Sequence, residues 1–335
     1  MVIYLKKIIL FSLLLLLLPL NVFSKDSVIV MDINSKRVLY EENINEKRLI
    51  ASTTKIMTCI LAIENKELTD IVKVGDEILT MYGSNIYLEV GEEITLLDLL
   101  YGMMLRSGND SATTIAKYVS GSEEKFVKLM NKKAIEIGML NTSFSNPTGL
   151  DDDTKNYSTA YDMALLYSYA YKNKNFRDIV GTKYYKTESS SKNYYWNNRN
   201  EILKKYDFAT GGKTGYTPDA GRVLVTSASK DNLDLVAVSF KSIYDYNNQI
   251  ALYNELFDKY NYVKLISKNT KINNRYPKED YYYTLTDDEK NNILIDNDDS
   301  IKIYLNDKLL KEIEYKKEKV NKKSIFSYIK KLLNI

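Results

Sequence analysis

The sequence predicts an α+β fold in which an antiparallel sheet is assembled from both ends of the chain around a helical region. Residues 27–42 alternate like a β-hairpin, and alternating apolar runs return between Lys183 and Phe240. Between these two parts, apolar residues recur at helical spacing over much of residues 95–171. Strands drawn from separate parts of a chain and a block of helices between them are typical of a sheet covered by helices.

The individual elements follow from local signals. Residues 52–67, "STTKIMTCILAIENKE", predict a helix with serine or threonine near its start, and a strand-rich stretch follows to about Val90. Further helices are predicted on both sides of a break at "SGND" within residues 95–120, and over residues 123–140, 158–171 and 248–260.

The two ends of the chain differ from its body. Residues 1–24 combine a basic start with an apolar run and predict a secretory signal peptide; an uncleaved N-terminal anchor is the alternative. A catalytic domain is expected over residues 25–262, and short alternating runs predict a small β-rich module over 263–318. Residues 319–335 place apolar side chains on one helical face between lysines, which is typical of a helix lying on an anionic membrane.

Composition excludes several kinds of enzyme. The chain has no histidine, so serine and cysteine hydrolases that use an imidazole base are excluded, as are zinc peptidases that bind metal through histidine. A base working near neutral pH must then be a lysine, aspartate, glutamate or tyrosine. Cys59, the single cysteine, lies in an apolar helical stretch and is expected to be a buried hydrophobic residue. We expect no cofactor, no metal and no nucleic-acid partner.

Ser52 and Lys55 are candidates for a nucleophile and its base. Three positions apart on a helix, their side chains share one face, and the helix macrodipole favours an alkoxide at its N-terminus. The same spacing at Ser122 lies at a polar helix start typical of a cap, and that at Ser189 lies in a polar run. Ser227 and Lys230 have the same spacing on a predicted strand, where it places their side chains on opposite faces. A capping serine and a solvated lysine remain the alternative at this stage.

Two further motifs strengthen the case for a site. "RSGND" places Ser107 and Asn109 in the predicted break between two helices, where both side chains can face a cleft. Lys213, Thr214 and Gly215 form a Lys-Thr-Gly motif that occurs once in the chain, after paired glycines that suit a strand closely approached by a ligand or another backbone. Three motifs in this order are much rarer by chance than any one of them.

The motif set resembles that of β-lactamases and penicillin-binding proteins. The surrounding residues are similar to those of the low-molecular-mass serine D-alanyl-D-alanine carboxypeptidases, over residues 27–260. The stretches that carry the resemblance are "LIASTTKIMT", "MLRSGNDSA", "IGMLNTSFSNPTGLDD", "STAYDMALL" and "GGKTGYTPDAGRVLVTSA". It implies a penicillin-recognising serine transferase fold and a penicillin-sensitive enzyme of the cell wall. Its substrates would be peptidoglycan stem pentapeptides ending in D-Ala-D-Ala, met at the outer face of the cytoplasmic membrane.

The resemblance also implies roles for individual residues. Ser52 is expected to be the acylated nucleophile, Lys55 its general base, and Ser107 the relay that passes a proton to the leaving group. Asn109 is expected to hydrogen-bond the substrate amide, and Lys213 to supply positive charge.

Four residues are expected to complete the substrate site. Thr214 would bind the terminal carboxylate, with Gly215 beside it, and the backbone N–H groups of Ser52 and Tyr216 would form an oxyanion hole. Asp110 and Arg222 are assigned no chemistry.

One departure from the family leaves two alternatives open. The family often has an arginine shortly after the last core strand that helps to hold the substrate carboxylate, and "FKSIYDYNNQIALYNELF" contains none, so Lys241 or another residue would replace it. A catalytically decayed peptidoglycan-binding scaffold therefore remains an alternative. A β-lactamase would need a Glu-x-x-x-Asn element, whereas Glu136 precedes Asn141 by five positions, so we expect slow release of a penicilloyl group.

Overall fold

The computed structural model describes residues 26–241 and 246–316. The predicted signal peptide, residues 1–24, and the predicted amphipathic helix, residues 319–335, lie outside the described residues. No helix in the described part of the chain is both long enough and apolar enough to cross a bilayer.

The strands are short except for three that lie between residues 209 and 240. In chain order they are β1 Ser27–Asp32, β2 Val38–Glu42, β3 Arg48–Leu49, β4 Ile71–Lys73, β5 Glu93–Thr95, β6 Tyr157–Ser158, β7 Tyr184–Glu188, β8 Asn193–Asn197, β9 Ala209–Thr217, β10 Gly221–Lys230, β11 Leu233–Phe240, β12 Asn261–Ile266, β13 Tyr281–Leu285, β14 Ile293–Asp296, β15 Ile301–Leu305 and β16 Lys308–Ile313.

Most of the helices lie between residues 55 and 205, after β2 and before β9. They are α1 Lys55–Asn65, α2 Leu96–Arg106, α3 Asn109–Ser120, α4 Glu123–Ile137, α5 Ala160–Ala170, α6 Lys174–Gly181, α7 Ile202–Lys205, α8 Tyr246–Lys259 and α9 Asp287–Lys290. Short 3-10 turns at Ala51–Thr54 and Asp76–Ile78 supplement them.

A five-stranded antiparallel sheet has the order β2-β1-β11-β10-β9. β1 pairs with β11 along its whole length, from Ser27 opposite Phe240 to Asp32 opposite Leu235. All six residues of β1 are buried, because helices of the central core cover one face of the sheet and α8 covers the other. The sheet therefore combines residues 27–42 with residues 209–240, as the sequence predicts.

Side-chain caps begin several of the helices that cover this sheet. Oγ of Ser122 accepts a hydrogen bond from the Lys125 N–H at 3.2 Å, so this serine is the helix cap that its polar surroundings predict. Oγ1 of Thr95 accepts in the same way from the Asp98 N–H at 3.1 Å. These caps explain why the helix starts agree closely with prediction.

The region before Val90 differs from the expectation of a strand-rich stretch. Only β4 and a 3-10 turn interrupt the loops there. The backbone of residues 84–88 is held by side chains of a distant helix instead of a neighbouring strand, as described below. Because residues 84–88 have no neighbouring strand, their alternation of apolar and polar side chains does not lead to a ladder of hydrogen bonds.

The C-terminal strands form a two-stranded pair, β12-β13, and a three-stranded sheet, β14-β15-β16. Their own small apolar core includes Ile266, Ile301 and Ile313. The predicted boundary after residue 262 lies inside β12, and the division of the chain into domains stays a prediction.

The turn between β1 and β2 contacts the C-terminal strands directly. The Arg37 guanidinium donates to both carboxylate oxygens of Glu289, at 2.9 and 2.6 Å, and to the carbonyl of Thr284 at 2.6 Å. The rings of Tyr260 and Tyr283 lie 5.3 and 5.5 Å from the guanidinium carbon. We call this contact the Arg37 latch.

Candidate active site

Ser52 and Lys55 lie at the junction of the first 3-10 turn and α1. Nζ of Lys55 lies 3.1 Å from Oγ of Ser52, and the lysine is completely buried while the serine is partly exposed. Neither helical segment has a side-chain cap, so the capping role for Ser52 is excluded. The spacing of three therefore brings the two side chains together, as the sequence predicts.

Lys55 has three hydrogen-bond partners and no carboxylate partner among the described residues. Besides Ser52, its amine donates to Oδ1 of Asn109 at 2.7 Å and to the carbonyl of Thr148 at 2.5 Å. Burial lowers the pKa of Lys55 well below its ordinary value, and the charge of Lys213 lowers it further. Asp110 opposes this shift. An amine with this environment loses its proton more readily than an exposed lysine does.

The backbone around Ser52 is tightly packed between two glycines. Ala51 has a φ of 45°, which is unusual for a residue with a side chain. A Cβ on Gly149, whose φ is +86°, would lie 1.9 Å from the Ala51 carbonyl oxygen. On the other side, a Cβ on Gly215 would lie 3.0 Å from the Ser52 nitrogen. The Ser52 amide therefore lies directly against β9, the edge strand of the sheet.

Ser107 and Lys213 join the two sides of the cleft. Ser107 ends α2 in the left-handed conformation, with φ of 65°. Its hydroxyl accepts a 3.0 Å hydrogen bond from Nζ of Lys213, which also donates to the carbonyl of Thr214 at 2.7 Å. Burial first, and the charge of Arg199 second, lower the pKa of Lys213 to about 7.

Asn109 connects Lys55 to the loop before it. Its Oδ1 accepts from Lys55, and its Nδ2 donates to the carbonyl of Tyr82 at 2.6 Å. The side chain is almost completely buried and retains one N–H for a ligand. The structure thus forms two hydrogen-bonded groups, Ser52–Lys55–Asn109 and Ser107–Lys213, and Ser52 and Ser107 line the same cleft.

The remaining predicted residues, Thr214, Gly215 and Tyr216, follow one another on β9, where successive positions face opposite sides of the sheet. Thr214 and Tyr216 line the cleft, and the Tyr216 side chain is 70% exposed, so it does not act as a packing residue. Gly215 points towards Ala51 and also borders the cleft. The cleft has a volume of about 550 Å³ and contains Ser52 and Ser107 in its lining.

Asp110 has a structural role that the sequence analysis left unassigned. Its buried carboxylate accepts hydrogen bonds from the backbone N–H groups of Ile86, Leu88 and Ser111, at distances from 2.8 to 3.1 Å. These bonds fasten the loop over residues 84–88 beside the cleft. The "SGND" break contained the residue, but no local pattern indicates its distant partners.

Arg199 is a cleft residue that the sequence analysis missed. Its guanidinium donates to Oγ of Ser84 at 2.7 Å, and burial lowers its pKa. The side chain of Asn198 accepts from the Asn200 N–H at 2.8 Å, which shapes the turn that carries the arginine. The triplet Asn-Arg-Asn was the available signal, because asparagine side chains commonly fix such turns.

A family model described as D-alanyl-D-alanine carboxypeptidase, peptidase S11, matches residues 20–243. The chain belongs to this family. The resemblance found in the motifs is therefore confirmed, and the cluster around Ser52 lies within the matched residues.

Individual relatives agree with this family. The D-alanyl-D-alanine carboxypeptidase DacF of Bacillus subtilis is 41% identical over 220 residues, which cover 64% of this chain and 56% of that protein. The chain spans about half the length of the curated relatives that it matches first.

Solved structures show the same fold. A D-alanyl-D-alanine carboxypeptidase from Mycobacterium tuberculosis is 28% identical with a TM-score of 0.66, covering 69% of this chain and 90% of that one. Penicillin binding protein 5 from Haemophilus influenzae has a TM-score of 0.74 and covers 86% of this chain and 95% of that one. At 23% identity, the second likeness concerns the fold alone. The predicted mixed α/β fold of penicillin-binding proteins is confirmed.

Proposed function

We propose that the protein is a serine D-Ala-D-Ala carboxypeptidase that removes the terminal D-alanine of peptidoglycan stem pentapeptides and is acylated by penicillins. The hydrogen bonding of Lys55 carries the proposal. Oδ1 of Asn109 and the Thr148 carbonyl can only accept, so each takes one N–H of the amine. The third partner is the Ser52 hydroxyl, which can also donate. In the neutral amine, the lone pair therefore points at the Ser52 proton.

This arrangement supports nucleophilic catalysis by Ser52. Its Oγ attacks the carbonyl carbon of the penultimate D-alanine while its proton moves to Nζ of Lys55. The peptide C–N bond then breaks, the leaving amine takes a proton through Ser107, and the acyl group remains as an ester on Ser52. Water hydrolyses this ester and restores the hydroxyl.

The remaining predicted residues bind the substrate in this proposal. The backbone N–H groups of Ser52 and Tyr216 stabilise the oxyanion, a contribution usually worth several kcal/mol in barrier height. The free N–H of Asn109 binds the substrate amide. Thr214 and Gly215 border the place of the terminal carboxylate, and Lys213 supplies positive charge beside it.

A β-lactamase is a weaker candidate. Glu136, the residue that comes nearest to a Glu-x-x-x-Asn element, is exposed on α4 and forms an ion pair with Lys133 at 3.1 Å. It does not line the cleft with Ser52. Slow hydrolysis of the penicilloyl ester is therefore expected.

Labelled penicillin and a peptide ending in D-Ala-D-Ala test the proposal together. Wild type should acquire one covalent label and release D-alanine, and Ser52→Ala should do neither. Equal labelling of Ser52→Ala would refute the nucleophile. Binding of the peptide without D-alanine release would favour the decayed scaffold.

We also propose that the protein is exported and attached to the outer face of the cytoplasmic membrane by residues 319–335. The lysine-rich amphipathic sequence supports this attachment. Deleting residues 319–335 should abolish sedimentation with anionic liposomes while leaving penicillin labelling unchanged. Unaltered sedimentation of the shortened chain would contradict the anchor.

A further inference from the structure

The peptide unit between Thr148 and Gly149 has a hydrogen-bond partner on each side. Its carbonyl accepts from Nζ of Lys55 at 2.5 Å, and its N–H donates to Oδ1 of Asn146 at 2.7 Å. The peptide bond is trans, so the carbonyl and the N–H of this planar unit point in opposite directions. An asparagine that holds the N–H therefore sets the direction in which the carbonyl points.

Asn146 uses both ends of its side-chain amide on this loop. Besides the Gly149 N–H, its Oδ1 accepts from the N–H and the hydroxyl of Thr148, at 3.1 and 3.0 Å. Its Nδ2 donates to the carbonyl of Leu150 and to the hydroxyl of Thr154, both at 2.8 Å. Because Asn146 is buried, removing its amide would leave the N–H groups of Thr148 and Gly149 without this acceptor and shielded from water.

The first 3-10 turn and α1 hold the same loop through hydroxyl groups on either side of the buried lysine. Nδ2 of Asn156 donates to Oγ1 of Thr54 and to the Asn146 carbonyl, both at 2.9 Å. Oγ1 of Thr58, one turn further along, donates to the Pro147 carbonyl at 2.8 Å. These contacts fix where the loop lies, whereas the orientation of the peptide after Pro147 and its neighbour depends on the Asn146 side chain.

The orientation of this peptide determines how the amine of Lys55 is arranged. In the neutral amine, Oδ1 of Asn109 and the Thr148 carbonyl each take one N–H, which leaves the lone pair for the Ser52 proton. Gly149 alone does not hold the peptide in place, because glycine has few steric restrictions. If the carbonyl turned away, one N–H of the amine would lose its acceptor, and the lone pair would no longer be directed at Ser52.

We propose that Asn146 is a positioning residue for the general base, because it turns the Thr148 carbonyl towards Lys55. The lone pair of the amine is thereby aimed at the Ser52 proton. The inference rests on the proposed function, since it requires Lys55 to take that proton. It gives a chemical role to "NPTG", residues 146–149, a stretch that the sequence analysis used only for the resemblance.

The test follows penicillin acylation of Asn146→Ala from pH 5 to 10 by mass spectrometry. The maximal acylation rate constant should fall roughly tenfold or more, because misplacing a reacting group by about 1 Å can cost about a hundredfold. The acidic limb should also move about one unit towards lower pH, because the ammonium form of Lys55 loses an acceptor. The charged groups around the amine and the loop are unchanged in this variant: Lys213, Asp110, Arg199, Glu123, Asp152 and Asp153.

Asn131→Ala is the matched control. The Asn131 side chain, from α4, holds the same loop at Phe144, accepting from its N–H at 2.9 Å and donating to its carbonyl at 2.8 Å. This control loosens the loop four residues before Thr148. Its acidic limb should stay where wild type has it, and its maximal rate constant should stay within about threefold.

Circular dichroism and thermal melting establish that each variant is folded at the assay temperature. Asn146→Ser replaces Asn146→Ala if the latter does not fold. A serine hydroxyl can still bond the Thr148 N–H, as it does in such turns, but it is one bond shorter than the amide. It should show the same two changes to a smaller degree.

Two results would overturn the inference. An acidic limb that stays in place in the Asn146 variants would show that the Thr148 carbonyl keeps its orientation without the amide. Equal changes in Asn131→Ala would show that any loosening of the loop has this effect. A wild type that is acylated but releases no D-alanine would count against the proposed function alone, since its acylation profile would still report on Asn146.

Discussion

Nζ of Lys213 on β9 donates a 3.0 Å hydrogen bond to Oγ of Ser107 at the end of α2. This contact holds the buried amine of Lys213, which has no carboxylate partner among the described residues, beside the cleft that Ser52 and Ser107 line. The charge of Lys213 is, after burial, the largest cause that lowers the pKa of Lys55. The two lysines are therefore expected to titrate as a coupled pair.

Lys213→Met should shift the pH dependence of acylation. In the proposed mechanism the acylation rate rises with pH as Lys55 loses its proton, and removing the neighbouring positive charge should raise the pKa of Lys55. The acidic limb of the profile should therefore move to higher pH. Penicillin acylation rates from pH 5 to 10 measure the shift, and an unmoved midpoint would exclude Lys213 as its cause.

The same variant should change how stability depends on pH. The pKa of Lys213 is about 7 in the folded protein against an ordinary 10.5, so the unfolded chain binds more protons between these values. The free energy of unfolding should therefore rise with pH across that window in wild type, and rise less in Lys213→Met. Urea titrations at pH 6, 8 and 10 give the free energy of unfolding of both proteins. If Lys213 did not contribute, this free energy would change with pH by the same amount in wild type and in Lys213→Met.

Asp110→Asn should shift the acylation profile in the opposite direction. The Asp110 carboxylate raises the pKa of Lys55, so its neutralisation should move the acidic limb to lower pH. The maximal rate should also fall, because the amide replaces only part of the carboxylate's contacts with Ile86 and Leu88. A shift in the same direction as Lys213→Met would contradict the electrostatic explanation.

Gly149→Ala should disturb the backbone of the nucleophile. The new Cβ combines a left-handed backbone with a clash against Ala51, costing about 2–5 kcal/mol of unfolding free energy and most of the acylation rate. Gly91→Ala is the matched control, since Gly91 has a φ of +87° and nothing within 4 Å of a Cβ. It should lose about 1–2 kcal/mol and keep its acylation rate. Similar losses at both positions would exclude the clash.

Arg37→Ala should loosen the C-terminal strands without slowing acylation. The Arg37 latch combines a bidentate pair with Glu289 and two aromatic contacts, so its loss should cost about 1–3 kcal/mol. Limited proteolysis should cut the C-terminal strands faster. Lys128→Ala, which removes an exposed pair with Glu124, should change stability by less than about 0.5 kcal/mol. Equal protease resistance of wild type and Arg37→Ala would show that other contacts hold the strands.

Much of the fold was predictable because its signals are local. The alternation in β1 and β2, the paired runs of β10 and β11, and the helix caps at Ser122 and Thr95 all act over a few residues. The expectation of a strand-rich stretch is wrong for residues 84–88, because the Asp110 side chain from another helix, and not a neighbouring strand, accepts hydrogen bonds from Ile86 and Leu88.

The candidate site was predictable where function depends on side chains at short spacing. The helical repeat brings the side chain of Lys55 to that of Ser52. Alternation along β9 turns Thr214 and Gly215 to opposite faces of the sheet. The carbonyl of Thr148 was not predictable, because every residue has a carbonyl and only the tertiary fold selects this one. Arg199 and Arg222 reach the cleft through the tertiary packing of a turn and a strand. The Asn-Arg-Asn triplet indicates the turn around Arg199 but not its position beside the cleft.

The position of β1 between β2 and β11 determines when the chain can fold. The apolar residues of β1 stay exposed, and one of its edges stays unpaired, until β11 at residues 233–240 has been synthesised. Closing so long a loop before any contact is gained slows folding, and unpaired apolar strands aggregate. The five-stranded sheet therefore cannot be completed until residue 240 has been synthesised, and β1 is open to pairing with other chains until then.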